Sequence, residues 1–161
     1  MALIGIGLGS NLGDRLNNLR SAVWWLENEG FCIKSRSDVF ETPPFGVEDQ
    51  PYFLNACLLA DFFEGPHEIL RRLKDIEVKL GRKPRLRWGP REIDLDILFI
   101  DNLVLNDEDL VIPHPRLHER PFVIVPLAQI CPKWRHPLLG LTIEELCKDI
   151  DTTSIIRITN L

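Results

Sequence analysis

Paired cysteines are missing from this sequence. The four present, Cys32, Cys57, Cys131 and Cys147, form no C-x-x-C pair, so zinc and thioredoxin-like readings have no local support. Positive charge is not in excess either. Nineteen Lys and Arg stand against 24 Asp and Glu, a net charge of -5. That argues against a general nucleic-acid binder, whose affinity would rest on surplus cations. Residues 1–9 are apolar but too short to span a bilayer, and they lack the basic leader of a secretory signal. Nucleotide-binding glycine motifs are absent. Gly5, Gly7 and Gly9 do not satisfy G-x-G-x-x-G, and no G-x-x-x-x-G-K-[ST] occurs. These glycines read instead as packing a strand and shaping its exit. Repeats, low-complexity tracts and linkers are lacking too.

What remains is ordinary for a globular protein: 161 residues, 45% hydrophobic and 27% charged. The expectation is one domain over residues 1–161, cytoplasmic and reduced, with a core that needs neither disulfide nor metal. Residues 3–8 read as a strand buried on both faces. A helix over 14–28 follows, with Leu16, Leu19, Val23 and Leu26 inward and Gly30 as its stop. Strands are expected over 31–40 and 53–62, separated by a loop over 41–51 that holds three prolines. Pro66 opens a second helix whose buried face is Ile69, Leu70, Leu73, Ile76 and Leu80, ending at Gly81. A strong strand covers 93–100, and a turn at Asp101-Asn102 leads into 103–105. Pro121 and Pro126 should break any long helix between 116 and 130. Thr142-Ile143-Glu144-Glu145 resembles a capping box, and 154–159 suits a terminal strand. The order β-α-β-β-α-β predicts an α+β fold, a ferredoxin-like sandwich with helices on one face of an antiparallel sheet.

The chemistry concentrates around residues 82–98. In a strand, alternate side chains share a face. Ile93, Leu95, Ile97 and Phe99 then point toward the helices, while Asp94 and Asp96 point away together. Two such carboxylates repel, and a hard divalent cation relieves them; Mg²⁺ favours one or two carboxylates plus substrate phosphates. The loop before them, 82–91, carries Arg82, Lys83, Arg85, Arg87 and Arg91 and no acid. Arginine forks match phosphate oxygens. Carboxylates for metal beside arginines for phosphate are the equipment of phosphoryl or pyrophosphoryl transfer from a nucleotide. Elsewhere, Asn55 can donate and accept at once toward a heterocyclic edge, and Phe53 and Phe122 offer aromatic faces. His114 and Arg120 are candidate phosphate contacts.

Four blocks together resemble one family: Gly9-Ser10-Asn11-Leu12-Gly13; Glu41-Thr42-Pro43-Pro44 with Leu54-Asn55; Arg87-Trp88-Gly89-Pro90-Arg91-Glu92-Ile93-Asp94-Leu95-Asp96; and Pro113-His114-Pro115-Arg116 through Phe122. The sequence is similar to the 6-hydroxymethyl-7,8-dihydropterin pyrophosphokinases of folate synthesis. The resemblance implies that the pterin hydroxymethyl oxygen attacks the β-phosphorus of ATP and AMP leaves. It implies two Mg²⁺ ions on Asp94 and Asp96, and catalytic roles for Arg82, Arg91, Asp94 and Asp96. The pterin would meet Thr42, Pro43, Phe45, Phe53, Asn55 and Phe122. ATP would meet Glu77, Arg82, Arg87, Trp88, Arg91, Ile97, His114 and Arg120, with Trp88 in a loop that closes over the site. Loop 82–91 is one residue shorter than in some members, and Pro115 replaces an aromatic found in others. A monomer is expected, with no nucleic-acid or membrane partner. Two other readings compete: a non-catalytic MgATP sensor, and an RNA-binding module on the same scaffold.

Overall fold

The computed structural model describes residues 1–44, 49–83 and 89–161. The chain runs β1 (Ala2–Ser10), α1 (Arg15–Asn28), β2 (Cys32–Arg36), β3 (Asp38–Thr42), β4 (Phe53–Phe62), α2 (Pro66–Lys79) and β5 (Asp94–Ile100). A small hairpin of β6 (Leu105–Asn106) and β7 (Val111–Ile112) follows, then α3 (Pro121–Ile130), α4 (Ile143–Lys148) and β8 (Ile156–Asn160). The main sheet is ordered β5-β1-β4-β3-β8, with β2 also paired to β4, and its ladders are antiparallel. This is the ferredoxin-like arrangement extended by one strand at the edge.

Local chemistry explains the element boundaries. Asp14 caps α1 by accepting from Asn17 N at 3.2 Å, and Gly30 leaves the helix at φ 101°. Pro66 begins α2, with Glu68 in its first turn and Lys79 in its last, each suited to the nearby helix pole. Thr142 and Glu145 complete the expected capping box: Thr142 N donates to Glu145 Oε1 at 3.0 Å, and Glu145 N donates to Thr142 Oγ1 at 3.3 Å.

Several expectations need correction. The strand read over 31–40 is two strands. Ser37 interrupts it, donating N–H to Cys57 O at 2.9 Å while its hydroxyl accepts from Cys57 N at 2.8 Å. Glu41 and Thr42 belong to β3 rather than to a loop. Pro126 lies inside α3, and Pro121 starts that helix instead of breaking it. Residues 103–104 are not strand; the partner of β6 is β7 in a separate sheet.

The largest correction concerns the faces. Helices cover both sides of the sheet. One core joins β1, β4 and β5 to α1 and α2 through Ile4, Ile6, Leu19, Leu58, Leu73, Leu95 and Ile97. A second core lies beneath α3 and α4 and gathers Cys57, Leu59, Leu98, Phe99, Leu127 and Ile143. An RNA-binding module would need that second face open, so this reading loses its platform. Phe99 sits in the second core, not with Ile97. The β1–β5 register slips between Gly5↔Phe99 and Ile6↔Ile97, so Leu98 is an extra residue and alternation restarts after it. Phe99 then stacks on Trp134 with ring centroids 4.1 Å apart.

Candidate active site

A cleft of about 670 Å³, the open solvent at its mouth included, lies on the sheet face that α3 covers only in part. Its floor is the middle of the sheet. Gly7 and Gly9 come from β1, Asn55 and Cys57 from β4, and Asp94, Asp96 and Leu98 from β5. Thr42, Pro43, Phe53, Arg91, Arg120 and Phe122 supply the walls. Backbone alternation brings these side chains together: in β4 the residues 53, 55 and 57 share the cleft face, while Leu54, Ala56 and Leu58 enter the first core.

The glycines have a larger role than strand packing. A Cβ on Gly9 would lie 2.9 Å from Asn55 Nδ2 and 3.5 Å from the Phe53 ring. Gly9 therefore makes room for the two side chains expected to meet the pterin. Asn55 is held from two directions. Thr42 Oγ1 donates to its Oδ1 at 2.6 Å, and its Nδ2 donates to Leu8 O at 3.4 Å. Both residues are buried, which fixes the amide as a rigid polar edge.

At the other end, charge dominates. Arg91 Nη1 lies 3.2 Å from Asp94 Oδ2, and Arg82 Nη1 lies 3.1 Å from Asp94 Oδ1. The same Arg82 nitrogen is 2.8 Å from Glu77 Oε2, and that oxygen also accepts from Leu95 N at 2.7 Å. Glu77 thus pins the start of β5 to α2 from below. Burial pushes its carboxyl upward, and the Leu95 N–H opposes that rise. Asp96 is pushed up to about 7, first by its place on the cleft floor and then by the charge of Asp94, with Arg120 working against both. Its side chain still keeps 36% exposure through the mouth of the cleft, so water reaches the group. Arg120 Nη1 is 4.0 Å from Asp96 Oδ2, and its guanidinium lies 5.5 Å from the Phe122 ring centre. His114 is lowered to about 4, by burial and then by Arg120, and so stays neutral at ordinary pH. Its Nδ1 accepts from Arg116 N at 3.1 Å, which leaves Nε2 as the donor.

The expected residues divide as follows. Thr42, Pro43, Phe53, Asn55, Arg91, Asp94, Asp96, Arg120 and Phe122 share the cleft. Glu77 and Arg82 stand behind Asp94. Ile97 does not join: its side chain enters the core on the helix side of the sheet. Phe45, Arg87 and Trp88 lie outside the described residues, as does Arg85. Sequence reasoning assigned no role to Asn11, which proves to be a clamp. Its Oδ1 accepts from Arg91 N at 2.9 Å, and its Nδ2 donates to Gln50 Oε1 at 2.8 Å and Pro51 O at 3.0 Å. One buried amide thereby ties the segment around 50 to the segment around 91. The signal was present in the Ser10-Asn11-Leu12-Gly13 block. Cys57 and Leu98 were also missed as cleft residues, although alternation from Asn55 and Asp96 points to both.

Two carboxylates on one face, with a shared charge burden that lifts one of them, fit a hard cation that brings its remaining ligands from a phosphate chain and water. The donor set is all oxygen, which suits Mg²⁺ and not a thiophilic metal.

Comparison with known proteins gives this arrangement its context. A chain from Methylorubrum extorquens described as 2-amino-4-hydroxy-6-hydroxymethyldihydropteridine pyrophosphokinase is 42% identical over 154 residues, covering 95% of this chain and 96% of its own. The Bacillus subtilis protein of the same description is 45% identical over 127 residues, covering 78% and 76%. A mitochondrial folate synthesis bifunctional protein of Arabidopsis thaliana is 47% identical over 125 residues, 78% of this chain but only 23% of that protein. Among solved structures, wild-type Plasmodium falciparum HPPK-DHPS with pteroate superposes at a TM-score of 0.75 and 16% identity, covering 97% of this chain and 45% of that one. That likeness speaks to the fold. The chain therefore spans nearly all of some relatives and less than half of others, which are fusions. A family model described as 7,8-dihydro-6-hydroxymethylpterin-pyrophosphokinase matches residues 5–132, and the chain belongs to that family.

Proposed function

We propose that this chain, acting as one unit over residues 1–161, transfers the terminal diphosphate of ATP to 6-hydroxymethyl-7,8-dihydropterin. The products are AMP and the pterin diphosphate. One observation carries the reading: a single cleft holds a carboxylate–arginine end and an amide–aromatic end, so two chemically unlike substrates fit side by side. The Thr42–Asn55 pair reads the polar edge of the pterin, and Phe53 and Phe122 offer its faces a slot. That orientation aims the hydroxymethyl arm toward Asp94 and Asp96.

The pterin oxygen forms a bond to the β-phosphorus of ATP, the bond from that phosphorus to the α,β-bridging oxygen breaks, and the hydroxyl proton passes to solvent. Asp94 and Asp96 are the residues that would hold Mg²⁺, two ions by family resemblance. Bound there, Mg²⁺ would supply positive charge against the triphosphate and would lower the pKa of a coordinated hydroxyl. Arg91 and Arg120 flank the carboxylates and meet charge that builds on the transferring oxygens. Arg82 shares Asp94 with Arg91, so phosphate competes with Asp94 for its guanidinium. Neutral His114 donates from Nε2 to the nucleotide. In-line transfer needs positioning and charge neutralisation more than a strong base.

The test is AMP release from ATP, Mg²⁺ and the dihydropterin alcohol, with mass detection of the pterin diphosphate. ATP binding without AMP formation would favour the sensor reading instead.

A further inference from the structure

The walls of the pterin slot come from elements that share no ladder: β3, which ends in Thr42, and α3, whose first turn carries Phe122. Segment 154–157 runs beside β3 and faces the start of α3 across a cleft. At the near end, Ser154 and Ile155 line a second cleft of about 440 Å³ together with Pro43, Pro44, Pro121 and Phe122. At the far end, Arg157 Nε donates to Asp38 Oδ2 at 2.9 Å. The same oxygen accepts from Gln129 Nε2 at 2.9 Å, and Asp38 N donates to Gln129 Oε1 at 2.8 Å. Asp38 opens β3, and Gln129 lies in the last turn of α3. From Ile156 onward β8 ladders with β3, pairing Glu41 with Ile156 and Val39 with Thr159. All of segment 154–157 falls beyond the stretch of the chain that the family model matches.

We infer that the Asp38–Gln129–Arg157 cluster, where β3, α3 and β8 meet, is a brace that sets the gap between Thr42–Pro43 and Phe122, and with it the affinity for the flat ring of the pterin. The inference rests on the reading of this cleft as the pterin slot. Asp38, Gln129 and Arg157 are positioning residues that act through the two walls. Dispersion contact with a ring falls away steeply once the gap widens by half an ångström or so. The phosphate end is held mainly by Glu77 on α2 and by β5, with Arg120 alone reaching it from the start of α3, so the brace should act on the pterin far more than on ATP.

The experiment compares wild type with Asp38→Ala, the milder Gln129→Ala and the conservative Asp38→Asn. Steady-state constants are measured for both substrates, and 6-hydroxymethylpterin binding is measured in the presence of a non-hydrolysable ATP analogue. The expected result for Asp38→Ala is a rise of about five- to tenfold in pterin KM and Kd, a smaller rise for Gln129→Ala, and ATP KM and kcat within about twofold. Asp38→Asn keeps an acceptor for both partners and should stay near wild type. A purely structural role would lower the melting temperature and the active fraction while leaving pterin KM unchanged. That result, or pterin and ATP constants rising together, overturns the brace. If Asp38→Ala fails to fold, Gln129→Ala carries the same comparison. Failure of the wild-type protein to bind the pterin would strike the slot reading itself, before any variant is considered.

Discussion

Asp94 and Asp96 stand side by side on one face of β5, yet their surroundings differ. Among the described residues, Asp94 faces two arginines at salt-bridge distance, whereas Asp96 has one guanidinium at 4.0 Å. Asp94→Asn and Asp96→Asn should each reduce turnover by orders of magnitude while the protein stays folded, because charge neutralisation of this kind contributes several kcal/mol, roughly, in the transition state. Near-normal rates at ordinary Mg²⁺ would refute the metal assignment. At the proposed pterin end, Asn55→Ala removes both hydrogen-bonding groups from a buried edge. An unpaired buried group costs about 1–3 kcal/mol, so pterin binding should weaken by roughly 10- to 100-fold while ATP binding holds. Calorimetry with each ligand decides this, and equal losses for both would mean general damage. Gly9→Ala should imitate it, because the added methyl meets Asn55 Nδ2 at 2.9 Å and must push the amide aside.

The elements show what was legible from sequence and what was not. Two-residue alternation in β5 was enough to put Asp94 and Asp96 together, and helical spacing found the buried stripes of α1 and α2. Thr142 and Glu145 gave away the start of α4; Thr142→Ala should cost about 1 kcal/mol, visible as an earlier thermal transition. The side on which Phe99 lies was not legible, because a bulge depends on how β5 registers against β1, a partner more than eighty residues away in the chain. Ser37 hid its interruption for a similar reason: its hydrogen bonds are to Cys57 on another strand. Pro126 misled because a proline in a helix costs one hydrogen bond, which the packing of a ten-residue apolar helix outweighs. Asn11 belonged to a visible motif, but nothing in the motif says that one amide reaches two loops.

Across the whole molecule, the buried ionisable groups give stability a pH dependence that metal should alter. Burial first, and then the charge of Asp94, push the Asp96 carboxyl up to about 7 from an ordinary 3.8, so the folded state holds its proton longer. Its contribution therefore favours the fold below about pH 4 and is lost as pH rises toward about 7. His114 works in the opposite direction between about 4 and 6.5, where the unfolded chain gains a proton that the folded one resists. The difference in melting temperature between wild type and Asp96→Asn, measured without metal, isolates the first effect. The variant should gain relative to wild type as pH climbs from 4 to 7, and Mg²⁺ with an ATP analogue should shrink that gain. A flat difference would show that Asp96 ionises as it does in water. One feature of β5 governs how far that water extends. Leu98 occupies the room left by Gly7, whose added Cβ would meet it at 3.3 Å, and it lines the cleft on one side while closing the second core on the other. It is a partition one residue thick between a wet compartment and a dry one. Because it is the supernumerary residue of the ladder, its removal would leave the aspartates and Phe99 each facing as they do now. Deleting it would restore regular pairing and yet breach the wall, letting the cleft drain into the space beneath α3. The depth of the reaction chamber is thus held by a side chain that the sheet itself could do without.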